Sequence, residues 1–167
     1  MNFSIITTIF LLISVTVLGQ VEGITEIRKL YKETQDNKST YRTLSGEDFE
    51  YSSEGGELKA FKDSDEVRLI EATYYGHMGK TEAEFYYKNG EPYFIFLKRM
   101  SYNRPVTEAG FDHNKTEVEE SRYYFWNNKM IRWIRPSGAH VEAESPEFLE
   151  TSKEIYEWAI ELLRKLK

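Results

Sequence analysis

The chain contains no cysteine. Disulfides, thiolate metal sites, thiol catalysis and anchoring through a lipidated cysteine are therefore excluded. There is no G-x-S-x-G nucleophile elbow. No glycine-rich phosphate loop precedes a helix, since Gly55-Gly56 has neither the spacing nor the lysine of one. Basic residues are in deficit, with 22 Lys and Arg against 28 Asp and Glu and a net charge of −6. That balance argues against nucleic acid or an anionic membrane surface as the main partner. No linker, low-complexity run or break in composition divides the chain, and no cofactor motif is present.

Long apolar runs are also missing, apart from one. The uncharged stretch Ile5–Leu18 has the length of a signal-peptide core and is short for a membrane span, which needs about 20 apolar residues. Residues 1–19 are accordingly expected to be a signal peptide, with cleavage after Gly19 or after Gly23. The segment before the apolar core has no Lys or Arg, so an uncleaved N-terminal anchor is the competing expectation. Residues 20–167 are expected to form a single domain of a secreted or periplasmic protein, off the membrane once the leader is removed. A chain of this size buries enough surface to be stable without cross-links.

What is abundant is tyrosine, 12 residues, with 10 Phe and 3 Trp. The spacing of Ile24, Ile27, Leu30, Tyr31 and Thr34 predicts a first helix. Short strands are expected at Tyr41–Leu44, Phe49–Ser52 and Leu58–Lys62. Longer ones follow at Glu66–Tyr75, Lys80–Lys88, Pro92–Tyr102, Glu119–Trp126 and Met130–Arg135. Asn89-Gly90 and Asn127-Asn128 mark tight hairpin turns, because both turn positions need positive φ. His140–Glu144 reads as a last extended piece. Ser145-Pro146 is an N-cap followed by a first-turn proline, and it starts a final helix ending in basic residues. The fold class is therefore α+β: an antiparallel meander sheet of about six or seven strands, flanked by an N-terminal and a C-terminal helix, both expected on one face. Glu84–Gly90 and Arg122–Asn128 echo each other as aromatic strand plus turn.

The aromatic strands carry the functional expectation. In Pro92–Tyr102, alternation sends Tyr93, Ile95 and Leu97 one way and Phe94 and Phe96 the other. A strand apolar on both sides is either covered twice or leaves one side as a binding surface. Tyr86, Tyr124, Trp126 and Trp133 are the candidate binding residues, with Ile131 and Trp133 expected on a common face. Flat rings with polar tips suit an unknown glycan, peptide or protein ligand. The expected function is thus an exported, non-enzymatic binding module. Two alternatives stand beside it. One is a metal-assisted or acid–base hydrolase using His140, Glu142 and Glu144, joined by His113 or Asp112. The other is an envelope structural or inhibitor-like protein with a broad partner surface.

Overall fold

A computed structural model describes residues 21–48, 50–52 and 54–166. The expected leader lies outside these residues. Helix α1 spans 21–37, and a 3-10 turn at Lys38–Thr40 hands the chain to strand β1, Arg42–Glu47. The strands β2 (Gly56–Asp63), β3 (Glu66–Gly76), β4 (Gly79–Lys88) and β5 (Glu91–Ser101) follow. A loop with a 3-10 turn at His113–Lys115 precedes β6 (Glu117–Trp126) and β7 (Lys129–Ile134), and helix α2, Pro146–Lys165, closes the chain. The seven strands pair in chain order, each antiparallel to its neighbour. The expected α+β meander is what forms. No helix among the described residues is long and apolar enough to cross a membrane.

The helices lie on opposite faces, not on one. Ile27 and Leu30 of α1 bury against Phe61, Leu69, Tyr86, Tyr93 and Phe94. Phe148, Ala159, Leu162 and Leu163 of α2 bury against Ala60, Ile70, Phe85, Ile95, Tyr123 and Phe125. The central strands are apolar on both sides, so both sides need cover. Side chains such as Phe85, Tyr86 and Tyr87 are fully enclosed, each worth roughly 1.5–3 kcal/mol of apolar burial.

Simple alternation fails at three bulges. In hairpins β2–β3, β4–β5 and β6–β7 the register slips by one residue just after the turn, and Arg68, Tyr93 and Ile131 are the residues passed over. An extra residue reverses which face the preceding side chains occupy. Tyr93 therefore joins Phe94 under α1, while Ile95 faces α2. Likewise Ile131 and Trp133 fall on opposite faces, correcting the common face expected of them. The echo seen between two hairpins extends in geometry to a third. Asn89, Gly90, Asn127 and Asn128 all have positive φ, as the tight turns require.

Two expected strands are absent. Between Asp48 and Ser52 the described residues form no strand; the Asp48 carboxylate accepts the Glu50 N–H at 3.1 Å, which turns the chain. His140–Glu144 is not a full strand either: His140 bridges Ile134 and Val141 N–H donates to the Trp133 carbonyl, but the chain turns at 143–144, where Glu144 has a φ of 70°. Helix α2 starts as expected, with the Ser145 hydroxyl accepting the Phe148 N–H at 3.2 Å. It is tied down by the buried Tyr87 phenol, which donates to the Ala159 carbonyl at 2.8 Å.

Candidate functional site

Helix α1 crosses the sheet instead of running along it. At its start, Gly23 abuts Trp126 and Ile131 on β6 and β7; near its end, Glu33 pairs with Arg68 on β3 at 3.2 Å. This diagonal follows the hairpin ends of the strands, where the bulges gather apolar side chains on the α1 face. Beyond the helix no described element covers the same face. Its next row is Glu84, Phe96 and Arg122, and the one after is Glu82, Lys98 and Glu120, in cross-strand register. The outer row is polar and self-paired, with Lys98 to Glu82 at 3.7 Å, so it is an ordinary solvated sheet face.

The inner row is different. Where the flank of α1 meets it, a cleft of about 400 Å³ opens, lined by Ile27, Arg28, Tyr31, Glu84, Phe94, Phe96, Arg122 and Tyr124. Helical spacing puts Ile27 and Tyr31 one turn apart on the same side of α1. Ile27 is buried in the joint, while Tyr31 stays 39% exposed as one wall. Phe94 and Phe96 alternate along β5, and Tyr124 sits opposite Phe94 on β6. Their rings touch: Tyr31 to Phe94 at 5.6 Å, edge to face, and Phe94 to Tyr124 at 5.0 Å. Such pairs rigidify the wall beyond simple area burial.

The charges are placed around these rings. Arg122 pairs with Glu120 at 2.7 Å and its guanidinium lies 5.2 Å from the Phe96 ring centre. Arg132 lies 5.9 Å from the Tyr124 ring centre. Arg28 is exposed on α1. Glu84 is held from below by the Tyr86 phenol, which donates to it and in turn accepts from the Gln35 amide at 2.6 Å. Burial pushes the Tyr86 phenol well above its ordinary pKa, and the bond to Glu84 adds to the shift, so the phenol remains a donor. The cleft is therefore an aromatic slot with one fixed carboxylate and guanidinium groups at its rim.

The four candidate residues divide. Tyr124 lines the cleft. Tyr86 shares its face but is 0% exposed, sealed beneath Tyr31 at 5.0 Å. Trp126 is half-buried against the start of α1. Trp133 is on the other face, 9% exposed and stacked on Tyr123 at 5.7 Å. Tyr31, Phe96, Arg28, Arg122 and Glu84 complete the lining without having been singled out as ligand contacts. The only signal for them is the pairing of an apolar helix stripe with a two-sided aromatic strand.

The polar candidates do not assemble. With the chain turning at 143–144, Glu144 leaves the face it would have shared with His140 and Glu142, so the three do not form one row. His113 begins the 3-10 turn of the β5–β6 loop instead, its ring 4.7 Å from Phe111. The Asp112 carboxylate is used locally, accepting the Asn114 N–H at 3.0 Å. Among the described residues no group of three His, Asp or Glu side chains is placed to hold a metal ion. Compared with known proteins, the chain matches no protein-family model, no curated protein and no solved structure.

Proposed function

We propose that this chain is an exported, non-catalytic binding module whose recognition surface is the cleft between α1 and strands β4–β6. The observation that carries the reading is the contrast among its rings. Most are spent in the two cores, yet Tyr31, Phe96 and Tyr124 line an open slot instead of closing it. The lining offers one carboxylate and no histidine, serine or threonine, a poor set for acid–base or nucleophilic chemistry and a good one for holding a ligand. Rings for an apolar body, with Arg28 and Arg122 beside them, suit an acidic segment carrying an apolar side chain, such as a peptide or a loop of a protein partner. The export part of the reading rests on the apolar stretch Ile5–Leu18.

The test is a calorimetric titration against acidic and neutral peptides and acidic and neutral glycans, with wild type, Phe96→Ala and Tyr124→Ala. An acidic, ring-bearing peptide is expected to bind, with a loss of about tenfold or more in either variant, as expected of a central aromatic anchor. Equal binding by both variants and wild type sinks the assignment of the cleft. Failure of every class to bind sinks the function.

A further inference from the structure

An open sheet has two edges, and here they are treated differently. The outer edge of β7 is partly closed by its own chain: Arg135 N–H donates to the Ala139 carbonyl at 2.9 Å, and Val141 N–H to the Trp133 carbonyl at 3.1 Å. Among the described residues, strand β1, Arg42–Glu47, has a neighbour on one side only and carries no proline or bulge. Natural sheets usually blunt such an edge with one of those devices.

The register fixes what β1 presents. Asp48 N–H donates to the Gly56 carbonyl at 3.0 Å, opposite its partner in the β1–β2 ladder. Even-numbered residues of β1 therefore turn their backbone groups toward β2, and Thr43, Ser45 and Glu47 turn theirs outward. Side chains alternate the other way: Leu44 packs with the α2-side core, and Gly46 lies beneath Leu166. Arg42, on that same face, is exposed and stands opposite Lys62, a like-charge pair that destabilises as it stands. At the far end of the strand, Asp48, Glu50 and Glu161 share the single ammonium of Lys165, at 3.0, 2.6 and 3.4 Å. One end of the edge thus carries Arg42 against another cation, and the other has more carboxylates than ammonium groups to meet them.

We infer that β1 is a self-pairing edge: two copies of the chain join antiparallel through β1 about a two-fold axis at Ser45. Outward backbone groups must meet outward ones, which admits Ser45 opposite Ser45 and Thr43 opposite Glu47 as hydrogen-bonded pairs. In that register Leu44 of each copy lies over Gly46 and Leu166 of the other. Arg42 of each copy comes opposite the buried Asp48 of the other, within reach of its exposed Glu50, the carboxylate that can answer it. The contact is one strand wide, well short of a standard interface, so the dimer is a weak one that forms across about 1–100 µM.

The absence of native cysteine makes the test clean. Across a hydrogen-bonded antiparallel pair the Cβ atoms are about 5.5 Å apart, too far for an unstrained disulfide but within reach of a bis-methanethiosulfonate reagent with a one- or two-carbon bridge. Ser45→Cys should therefore be joined into a covalent dimer by that reagent. Thr43→Cys should not, because the two copies of that position are about 13 Å apart along the strands. Ser45→Pro removes an outward N–H without touching the β1–β2 ladder, and Arg42→Glu reverses the charge match. Both should sediment as monomers where wild type shows a concentration-dependent dimer, with unchanged circular dichroism. A wild type monomeric throughout that range, or Ser45→Cys cross-linking no faster than Thr43→Cys, overturns the inference.

Discussion

Raising the pH strikes this fold where it is most committed. Tyr74, Tyr86, Tyr87, Tyr93 and Tyr123 are each 6% exposed or less. Burial pushes all five phenols above their ordinary pKa, and donation to a carboxylate adds to the shift where it occurs, as for Tyr74 to Asp48 at 3.0 Å. In the unfolded chain they titrate near pH 10. Below that value both states hold the protons and the phenols are neutral to stability. Above it the unfolded chain has released protons that the native state keeps, so stability falls as pH rises. Each such phenol costs ~1.4 kcal/mol per pH unit, and five set a ceiling of ~7 kcal/mol per unit. A domain stability of about 5–15 kcal/mol is consumed within roughly one to two units above pH 10. The assay follows tyrosinate absorbance and far-ultraviolet circular dichroism in one titration. The buried set ionises in a single cooperative step as the structure is lost. A smooth rise in tyrosinate absorbance to completion near pH 10, with secondary structure retained, would refute the reasoning.

Further substitutions test how the layers are joined. A Cβ on Gly23 would meet Trp126 Cγ at 2.9 Å and Ile131 at 3.0 Å, so Gly23→Ala should destabilise by about 1–3 kcal/mol in urea denaturation. An undocked α1 would give the opposite sign, because alanine favours helix over glycine by about 1 kcal/mol. The Asp48 carboxylate, 3% exposed, accepts from Tyr74, Lys165 and the Glu50 backbone. Asp48→Ala should lower stability by about 2–3 kcal/mol and loosen the end of α2, read as faster amide exchange over Leu162–Lys165.

Local chemistry was legible and three-dimensional bookkeeping was not. Asn89-Gly90, Asn127-Asn128 and Ser145-Pro146 each announce a turn or a cap through their own conformational preferences, and the meander follows from the order of the strands they separate. What period-two reading misses is the bulge, since one passed-over residue at Arg68, Tyr93 or Ile131 changes which side chains share a face. The same limit governs the candidate site. Ring content points to the β4–β5 and β6–β7 hairpins, yet burial separates Tyr124 from Tyr86 beneath a helix distant in sequence, and facing separates it from Trp133. Arg28, Glu84 and Arg122 read as ordinary surface charges because nothing local ties them to the rings. Phe49–Ser52 looked like a strand by composition. In the structure its tyrosine instead covers the α2 side, with the Tyr51 ring 5.2 Å from Trp158.

The claim on which the functional reading stands is that ligand enters the slot beside α1. The most direct measurement is backbone amide shift mapping on labelled protein during titration with an acidic, ring-bearing peptide. Perturbations confined to residues around Arg28, Tyr31, Glu84, Phe96, Arg122 and Tyr124, saturating together, are the predicted result. Shifts centred instead on the α2 face or on the loop around His113, with the cleft signals unmoved, would contradict it.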